Sequence, residues 1–151
     1  MQFLSIYYNK FMKISILKQK LRIPVIGAPL FIISNPNLVV EQCKAGVVGS
    51  FPALNARPKE QLDDWLYEIN EKLNLHDKNS ENKAAPYAIN QIVHKTNDRV
   101  EHDMELTVKH KVPIVITSLG ARKEVYDAVH SYGGIVCLLY TSPSPRDSIA
   151  S

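Results

Sequence analysis

The chain has 151 residues, of which 45% are hydrophobic and 22% are charged, and this composition excludes a disordered chain and allows one globular core. The formal net charge is only +3 and no basic stripe with interleaved aromatic residues occurs, which argues against nucleic acid as a partner. No apolar run approaches the roughly 20 residues of a membrane span, and the two cysteines form no CxxC motif or metal-ligand cluster, so we expect a reduced, cytoplasmic protein without a membrane partner.

The chain begins with a segment that lacks the pattern of a signal peptide. Residues 1–20 mix Tyr, Asn and Lys and have neither an uninterrupted apolar stretch nor a small-residue cleavage site. Met12 offers a second plausible start of translation. We therefore predict that residues 1–20 are an N-terminal extension of the folded domain.

A strand, a helix and a second strand follow the extension. Residues 23–29, Ile-Pro-Val-Ile-Gly-Ala-Pro, are short, apolar and β-branched, which predicts a buried parallel strand. Asn35 is a preferred N-cap and the proline after it suits a first helical position, so a helix is predicted over Pro36–Lys44, ending near Gly46. Residues 47–51 are predicted to form the second strand.

The strongest helix signal lies in the middle of the chain. Pro58 suits the start of a helix, and apolar side chains then recur at helical spacing, namely Leu62, Trp65, Leu66, Ile69 and Leu73. This stripe could be a partner surface, but its spacing favours the face that packs on the sheet. The polar residues 74–83 are predicted to form a flexible loop.

The alternation continues to the end of the recognisable pattern. The remaining predicted elements are a strand over 87–93, a helix marked by Val100, Met104 and Val108, a strand over 112–117, a helix over 121–132, and a strand from Ile135. Right-handed crossovers make such a chain a parallel sheet covered by helices. Ligands of such sheets bind at the carboxyl ends of the strands.

Two architectures fit this alternation: an open doubly wound sheet and a barrel. The GxGxxG turn of dinucleotide-binding sheets is missing after the first strand, which favours the barrel. A complete eight-stranded barrel needs about 250 residues. The predicted fold class is therefore α/β, the amino-terminal half of a (β/α)8 TIM barrel, truncated at the fifth strand.

Three segments at predicted strand ends resemble the nitronate monooxygenase family, formerly called 2-nitropropane dioxygenase. They are Ile-Gly-Ala-Pro-Leu at 26–30, Ala-Ile-Asn-Gln-Ile-Val-His-Lys-Thr-Asn-Asp-Arg at 88–99, and Pro-Ile-Val-Ile-Thr-Ser-Leu-Gly-Ala at 113–121. The resemblance covers residues 21–136. It implies an FMN-dependent barrel that oxidises small alkyl nitronates with dioxygen.

The resemblance also implies which residues meet the cofactor. The loop after the first strand passes its backbone along the flavin, an asparagine on the third strand contacts it, and hydroxyls end the fourth strand; these positions are Gly27, Ala28, Pro29, Leu30, Asn90, Thr117 and Ser118. A backbone contact remains an alternative role for Asn90, because a buried carboxamide must find hydrogen bonds. His94 could bind an anion, although a lone histidine after a strand is more often a solvated loop residue.

Other parts of the family pattern do not occur in this sequence. The histidine that serves as base or anion partner follows a Gly-Gly pair on a later strand, so no catalytic residue and no metal ligand is assigned. The chain alone is expected to be inactive and to self-associate through unpaired strand edges. Two alternatives remain open: an FMN-dependent enoyl-thioester or quinone reductase of the same barrel type, and a non-catalytic half-barrel that serves as an interaction module.

The last segment departs from the family pattern. Residues 137–151 resemble a translated sequencing adaptor, and they are predicted to be a non-native tail after a partial FMN-dependent barrel domain over 21–136. A natural Ser/Pro-rich polar tail is the alternative.

Overall fold

The computed structural model describes residues 21–139. Four strands form one parallel sheet in the order β1-β2-β3-β4, and helices alternate with them. The elements are α1 Pro36–Lys44, β1 Ser50–Pro52, a 3₁₀ turn Ala53–Asn55, α2 Gln61–Asn79, β2 Ala88–Ile92, α3 Val100–Lys109, β3 Ile114–Ser118, α4 Lys123–Ser131 and β4 Ile135–Leu139. The predicted α/β alternation of half a TIM barrel is confirmed. The predicted extension over 1–20 lies outside the described residues.

The sheet has an inner and an outer face. On the inner face, small and branched side chains of neighbouring strands pack together, namely Val48, Ala88, Ile114 and Ile116. The outer face carries the larger core, in which Phe51, Ile89 and Val115 meet the helices. Because successive side chains of a strand point to opposite faces, these two clusters assign a face to each residue at the strand ends.

The apolar stripe of α2 lies against the outer face of the sheet, as its spacing predicts. Leu62, Leu66 and Ile69 are fully buried, and the Trp65 ring lies 5.8 Å from the Phe51 ring between centroids. Cys43 on α1 is also fully buried in this core. The first helix begins as predicted, since the Asn35 side chain accepts a hydrogen bond from the Leu38 N–H at 3.1 Å.

The first predicted strand is not a regular strand. Within residues 23–29 only one parallel bridge forms, from Ile26 to Val48, and Ile23 and Val25 remain about half exposed. One cause is visible, because Pro24 has no N–H to donate to a ladder.

The predicted loop over residues 74–83 was wrong for 74–79, which continue α2. No Gly or Pro interrupts this stretch, and hydrogen bonds to the loop that follows secure its last turn. Asp77 accepts from the Ala84 N–H at 2.7 Å, and His76 Nε2 lies 3.0 Å from the Asn82 carbonyl. The helix also begins at Gln61 rather than at Pro58, after a turn in which the Gln61 N–H bonds the Pro58 carbonyl.

The last strand begins at Ile135, directly after the Gly133-Gly134 pair, as predicted. It extends through Cys137–Leu139, the first three residues of the segment predicted to be a non-native tail, and pairs with β3 in parallel register. The origin of that segment stays a prediction. None of the helices within residues 21–139 is both long and apolar enough to cross a membrane.

Candidate functional site

The carboxyl ends of β2 and β3 bring Asn90 and Ser118 together. Asn90 lies on the inner face in register with Ile116, at the end of the inner apolar cluster, and only 7% of it is exposed. Its Nδ2 donates one hydrogen bond to the Ile116 carbonyl and one to Ser118 Oγ, both at 3.0 Å. The pairing fixes the orientation of the carboxamide.

This orientation leaves two hydrogen-bonding groups available. Both N–H groups of the Asn90 amide are used within the protein, and its Oδ1 accepts no hydrogen bond from any residue within 21–139. Ser118 accepts from Asn90, so its own O–H remains a donor. The pair therefore presents one acceptor and one donor side by side at the carboxyl edge of the sheet.

Thr117 lies on the other face of β3. It pairs in register with Gln91, whose Nε2 donates to Thr107 Oγ1 of α3 at 3.1 Å, so both residues face the helices. The Thr117 hydroxyl is buried and has no hydrogen-bond partner among the described residues. The structure therefore does not bring Thr117 into the site with Ser118, although the sequence placed both hydroxyls there.

The loop over Gly27–Leu30 lies at the same edge as Asn90. The Gly27 N–H donates to the Val48 carbonyl at 2.8 Å, and the Gly27 carbonyl accepts from the hydroxyl of buried Ser50. Ala28 is exposed and Pro29 is half-buried, while Leu30 is 46% exposed. The loop thus presents its small residue and its backbone at the carboxyl edge.

Gly27 lies close to a side chain of α1. A Cβ at this position would lie 2.6 Å from Nε2 of Gln42, at the end of a flexible side chain that can move aside. The contact therefore favours a small residue at position 27 but does not require glycine.

Asn55 is a polar residue of this edge that sequence reasoning missed. Its Nδ2 donates to the Leu30 carbonyl at 3.0 Å and to the Ser34 carbonyl at 2.8 Å, and its Oδ1 accepts from the Ile32 N–H at 3.1 Å. One side chain thus ties the first loop to the turn after β1. No periodicity signals these bonds, which join residues 21 to 25 positions apart.

Arg99 was missed as well. Its guanidinium donates to the carbonyls of Ala56 at 2.9 Å and Ala53 at 3.3 Å, and it pairs with Asp103 at 3.1 Å. The Asp103 side chain is fully buried and also lies 3.0 Å from His102 Nδ1. An Arg and an Asp four positions apart on a helix are a known ion-pair signal, but that spacing does not reveal the carbonyls that the arginine also binds.

Two further residues, His94 and Cys137, carry side chains that could react or bind a ligand. His94 is exposed, and its Nδ1 lies 2.9 Å from Thr96 Oγ1 and accepts from the Thr96 N–H, which leaves Nε2 toward solvent. Cys137 lies on the inner face in register with Ile116, and burial raises the pKa of its thiol, so it is protonated at neutral pH. Residues 21–139 contain no cluster of His, Cys, Asp or Glu that could hold a metal ion.

Comparison with known proteins supports the fold. No model of a protein family matches the sequence, and no curated protein matches it. Among solved structures, the chain is similar to the FabK M276A mutant from Thermotoga maritima, with a TM-score of 0.67 and 16% sequence identity. The match covers 91% of this chain and 42% of the FabK chain, so the chain spans less than half the length of that TIM barrel.

Proposed function

We propose that the carboxyl edge described above is one side of an FMN site, and that the protein to which this half-barrel belongs oxidises alkyl nitronates with dioxygen. The single observation that carries the cofactor assignment is the Asn90–Ser118 pair, which leaves an acceptor and a donor available at the place where parallel α/β sheets bind ligands. The reaction is proposed from the resemblance of the strand-end segments to nitronate monooxygenases.

The donor set fits the flavin by its chemistry. The pyrimidine part of an isoalloxazine carries an N–H donor between two carbonyl acceptors. Asn90 Oδ1 would accept from the ring N–H, and the Ser118 hydroxyl would donate to a neighbouring carbonyl. When bound, FMN would take electrons from the nitronate and pass them to dioxygen, so the protein groups need only bind and orient.

The loop over Gly27–Leu30 would contact the flavin ring through its backbone and its exposed side chains. Ala28 has only a methyl group, and its N–H has no hydrogen-bond partner among the described residues. Exposed Leu30 adds apolar surface next to it. A small residue followed by an apolar one suits the approach of a flat aromatic cofactor.

Neighbouring hydroxyls on β3 provide the test of the cofactor assignment. FMN is titrated into the full chain and into the variants Ser118→Ala and Thr117→Val, with flavin fluorescence as the signal. Loss of one directed hydrogen bond in Ser118→Ala should weaken FMN binding by about tenfold. Thr117→Val changes the opposite face and should leave the affinity unchanged. Equal effects of the two variants, or no binding by the unmodified chain, would contradict the assignment.

The reaction is tested on the longest protein that the source gene encodes. Resequencing across the codons for Gly134–Ser151 and downstream identifies that protein, and a continuation into further βα units with a Gly-Gly-His segment supports the proposal. Oxygen uptake with a small alkyl nitronate, without a nicotinamide cofactor, is then the expected activity. Failure to consume oxygen under these conditions would contradict the assignment of nitronate oxidation as the reaction.

The second candidate is an FMN-dependent enoyl-thioester or quinone reductase on the same barrel type, which the fold shared with FabK fits equally well. The same assays separate the two candidates. A reductase would oxidise a nicotinamide cofactor in the presence of an enoyl thioester or a quinone, and would leave the nitronate unchanged.

A further inference from the structure

The turn formed by Leu30, Phe31, Ile32 and Ile33, here called the apolar turn, is held in a costly conformation. Ile32 has a φ of 66°, in the left-handed region that a β-branched side chain rarely adopts. Its side chain is 76% exposed, and Phe31 and Ile33 are 56% and 61% exposed. The Arg57 guanidinium lies over the Phe31 ring, with Cζ 5.1 Å from the ring centroid, but Ile32 itself is mostly exposed. Packing therefore does not compensate the strain at Ile32, and hydrogen bonds must hold it.

Asn55 holds the apolar turn from outside. Its three hydrogen bonds reach the Leu30 carbonyl, the Ile32 N–H and the Ser34 carbonyl, which are the two flanks and the strained centre of the turn. Local bonds close the turn from within: Leu30 and Ser34 bond each other, and the Ile33 N–H donates to the Phe31 carbonyl at 2.8 Å across Ile32, but none of them uses the Ile32 N–H. Only Asn55 acts on the strained residue from outside the turn within the described part of the chain.

Asn55 is itself firmly placed. The carbonyls of Ala53 and Ala56, on either side of it, accept hydrogen bonds from the Arg99 guanidinium. Arg99 is paired with Asp103 of α3, whose side chain is fully buried. The position of Asn55 is therefore set from the start of α3.

We propose that Asn55 is a positioning residue that holds the apolar turn in its strained conformation beside the flavin edge, so that the Gly27–Leu30 loop meets the cofactor in one fixed geometry. The proposal rests on the proposed function for the identity of the ligand. The three hydrogen bonds from Asn55 to the apolar turn, here called the clamp, form in the chain without ligand. The clamp and its effect on cofactor binding can therefore be tested separately.

Hydrogen exchange of the apolar turn tests the clamp in the absence of FMN. In Asn55→Ala the amide exchange of Ile32 should rise by about tenfold, because its only acceptor among the described residues is lost. The matched control is Asp77→Ala. Asp77 also accepts from a backbone N–H, that of Ala84 at 2.7 Å, but no hydrogen bond joins it to the apolar turn, to Asn55 or to Arg99 within the described residues. Unchanged exchange at Ile32 in Asn55→Ala, or an equal rise at Ile32 in Asp77→Ala, would overturn the proposal.

A second variant keeps the test valid if Asn55→Ala loses too much stability. Asn55→Asp retains an acceptor for the Ile32 N–H but places carboxylate oxygens against the carbonyls of Leu30 and Ser34. The Ile32 amide should then keep most of its protection, while the Ser34 amide exchanges several-fold faster because the turn opens at its flank. Faster exchange of Ile32 than of Ser34 in this variant would contradict the assigned bonds.

FMN affinity provides a readout that a purely structural role would not move. Asn55→Ala should weaken FMN binding by about tenfold under conditions in which urea unfolding shows the variant to be folded, and Asp77→Ala should not. An unchanged affinity in Asn55→Ala would overturn the link between the clamp and the cofactor. If the unmodified chain binds no FMN, the proposed function and this link both fall, whereas the exchange experiment still decides whether Asn55 clamps the turn.

Discussion

Thr117 and Ser118 are adjacent hydroxyl residues with opposite surroundings, and this contrast is the sharpest feature of the site at the residue scale. Ser118 accepts from Asn90 on the inner face, whereas the Thr117 hydroxyl is buried against the helices without a partner among the described residues. The motif in the sequence places both at the end of one strand. Only the alternation of the strand separates the hydroxyl on the inner face from the one buried against the helices.

Thr117→Val should stabilise the protein by about 1 kcal/mol, because it removes an unsatisfied buried hydroxyl and keeps the shape of the side chain. Urea unfolding with an unchanged slope measures the difference. Ser118→Ala, which removes a hydrogen-bond partner of Asn90, should instead cost about 1 kcal/mol. Destabilisation by Thr117→Val would show that the hydroxyl has a partner.

The buried thiol of Cys43 should make the folded protein less stable at alkaline pH. Burial raises the pKa of its thiol from an ordinary value near 9 to about 11, so the folded state favours the neutral thiol. The stabilisation is complete below pH 9 and is lost as the pH rises from 9 through 11, by about 2–3 kcal/mol for this group. Burial also raises the pKa of Tyr132 to about 12, which extends the loss to higher pH.

Urea unfolding at several pH values above neutrality measures this slope. Cys43→Ala should be less stable at neutral pH and should show a smaller decline between pH 9 and 11. Cys137→Ala, which changes a half-buried thiol, is the control and should retain most of the decline. A decline of the same size in Cys43→Ala would contradict the role assigned to this thiol.

At the scale of elements, the helices with a periodic apolar pattern or a local cap were predictable from the sequence. Features that depend on distant residues were not. The apolar stripe of α2 predicted its buried face, and Asn35 predicted the start of α1, because both depend on residues within a few turns. The segment over 23–29 has the composition of a strand but forms one bridge, and its Pro24 has no N–H to donate to a ladder. Asn90 was predicted from the resemblance of its segment to a known family, and its place in an apolar strand indicated only that it needs hydrogen-bond partners. Asn55 and Arg99 act through distant carbonyls that no local pattern specifies.

Two leucines of α2 test how the helix is packed. Leu66 is fully buried, whereas Leu75 is 61% exposed on the same helix. Leu66→Ala should cost about 2–5 kcal/mol through lost burial and the cavity it leaves. Leu75→Ala should stay within about 0.5 kcal/mol. Thermal or urea unfolding of the pair measures the contrast, and similar costs for both would mean that the helix does not bury the predicted face.

At the scale of the molecule, the sheet ends in open edges within the described residues. β4 has a neighbour on one side only, and its last residues Leu138 and Leu139 are 51% and 62% exposed. At the other end, Ile23, Val25 and Ile26 are exposed beside β1. Unpaired strands with apolar side chains favour pairing with another chain.

We therefore expect the chain to self-associate, and sedimentation velocity over a micromolar concentration series should show species larger than the monomer. Leu139→Lys, which places a charge on the open strand, should shift the distribution toward the monomer. Leu75→Lys adds the same charge to an exposed site on α2 and should not. A monomer with cooperative unfolding at every concentration would contradict this expectation.

The central claim is that the carboxyl edge of this half-barrel binds a flavin through Asn90 and Ser118. The most direct measurement is a titration of the isotopically labelled chain with FMN, followed by nuclear magnetic resonance. We expect shifts of the Asn90 side-chain amide, the Ser118 amide and the Gly27–Leu30 loop, with no change at the opposite edge around Arg22, Gly46 and Lys83. Shifts confined to the opposite edge, or no shifts at all, would contradict the claim.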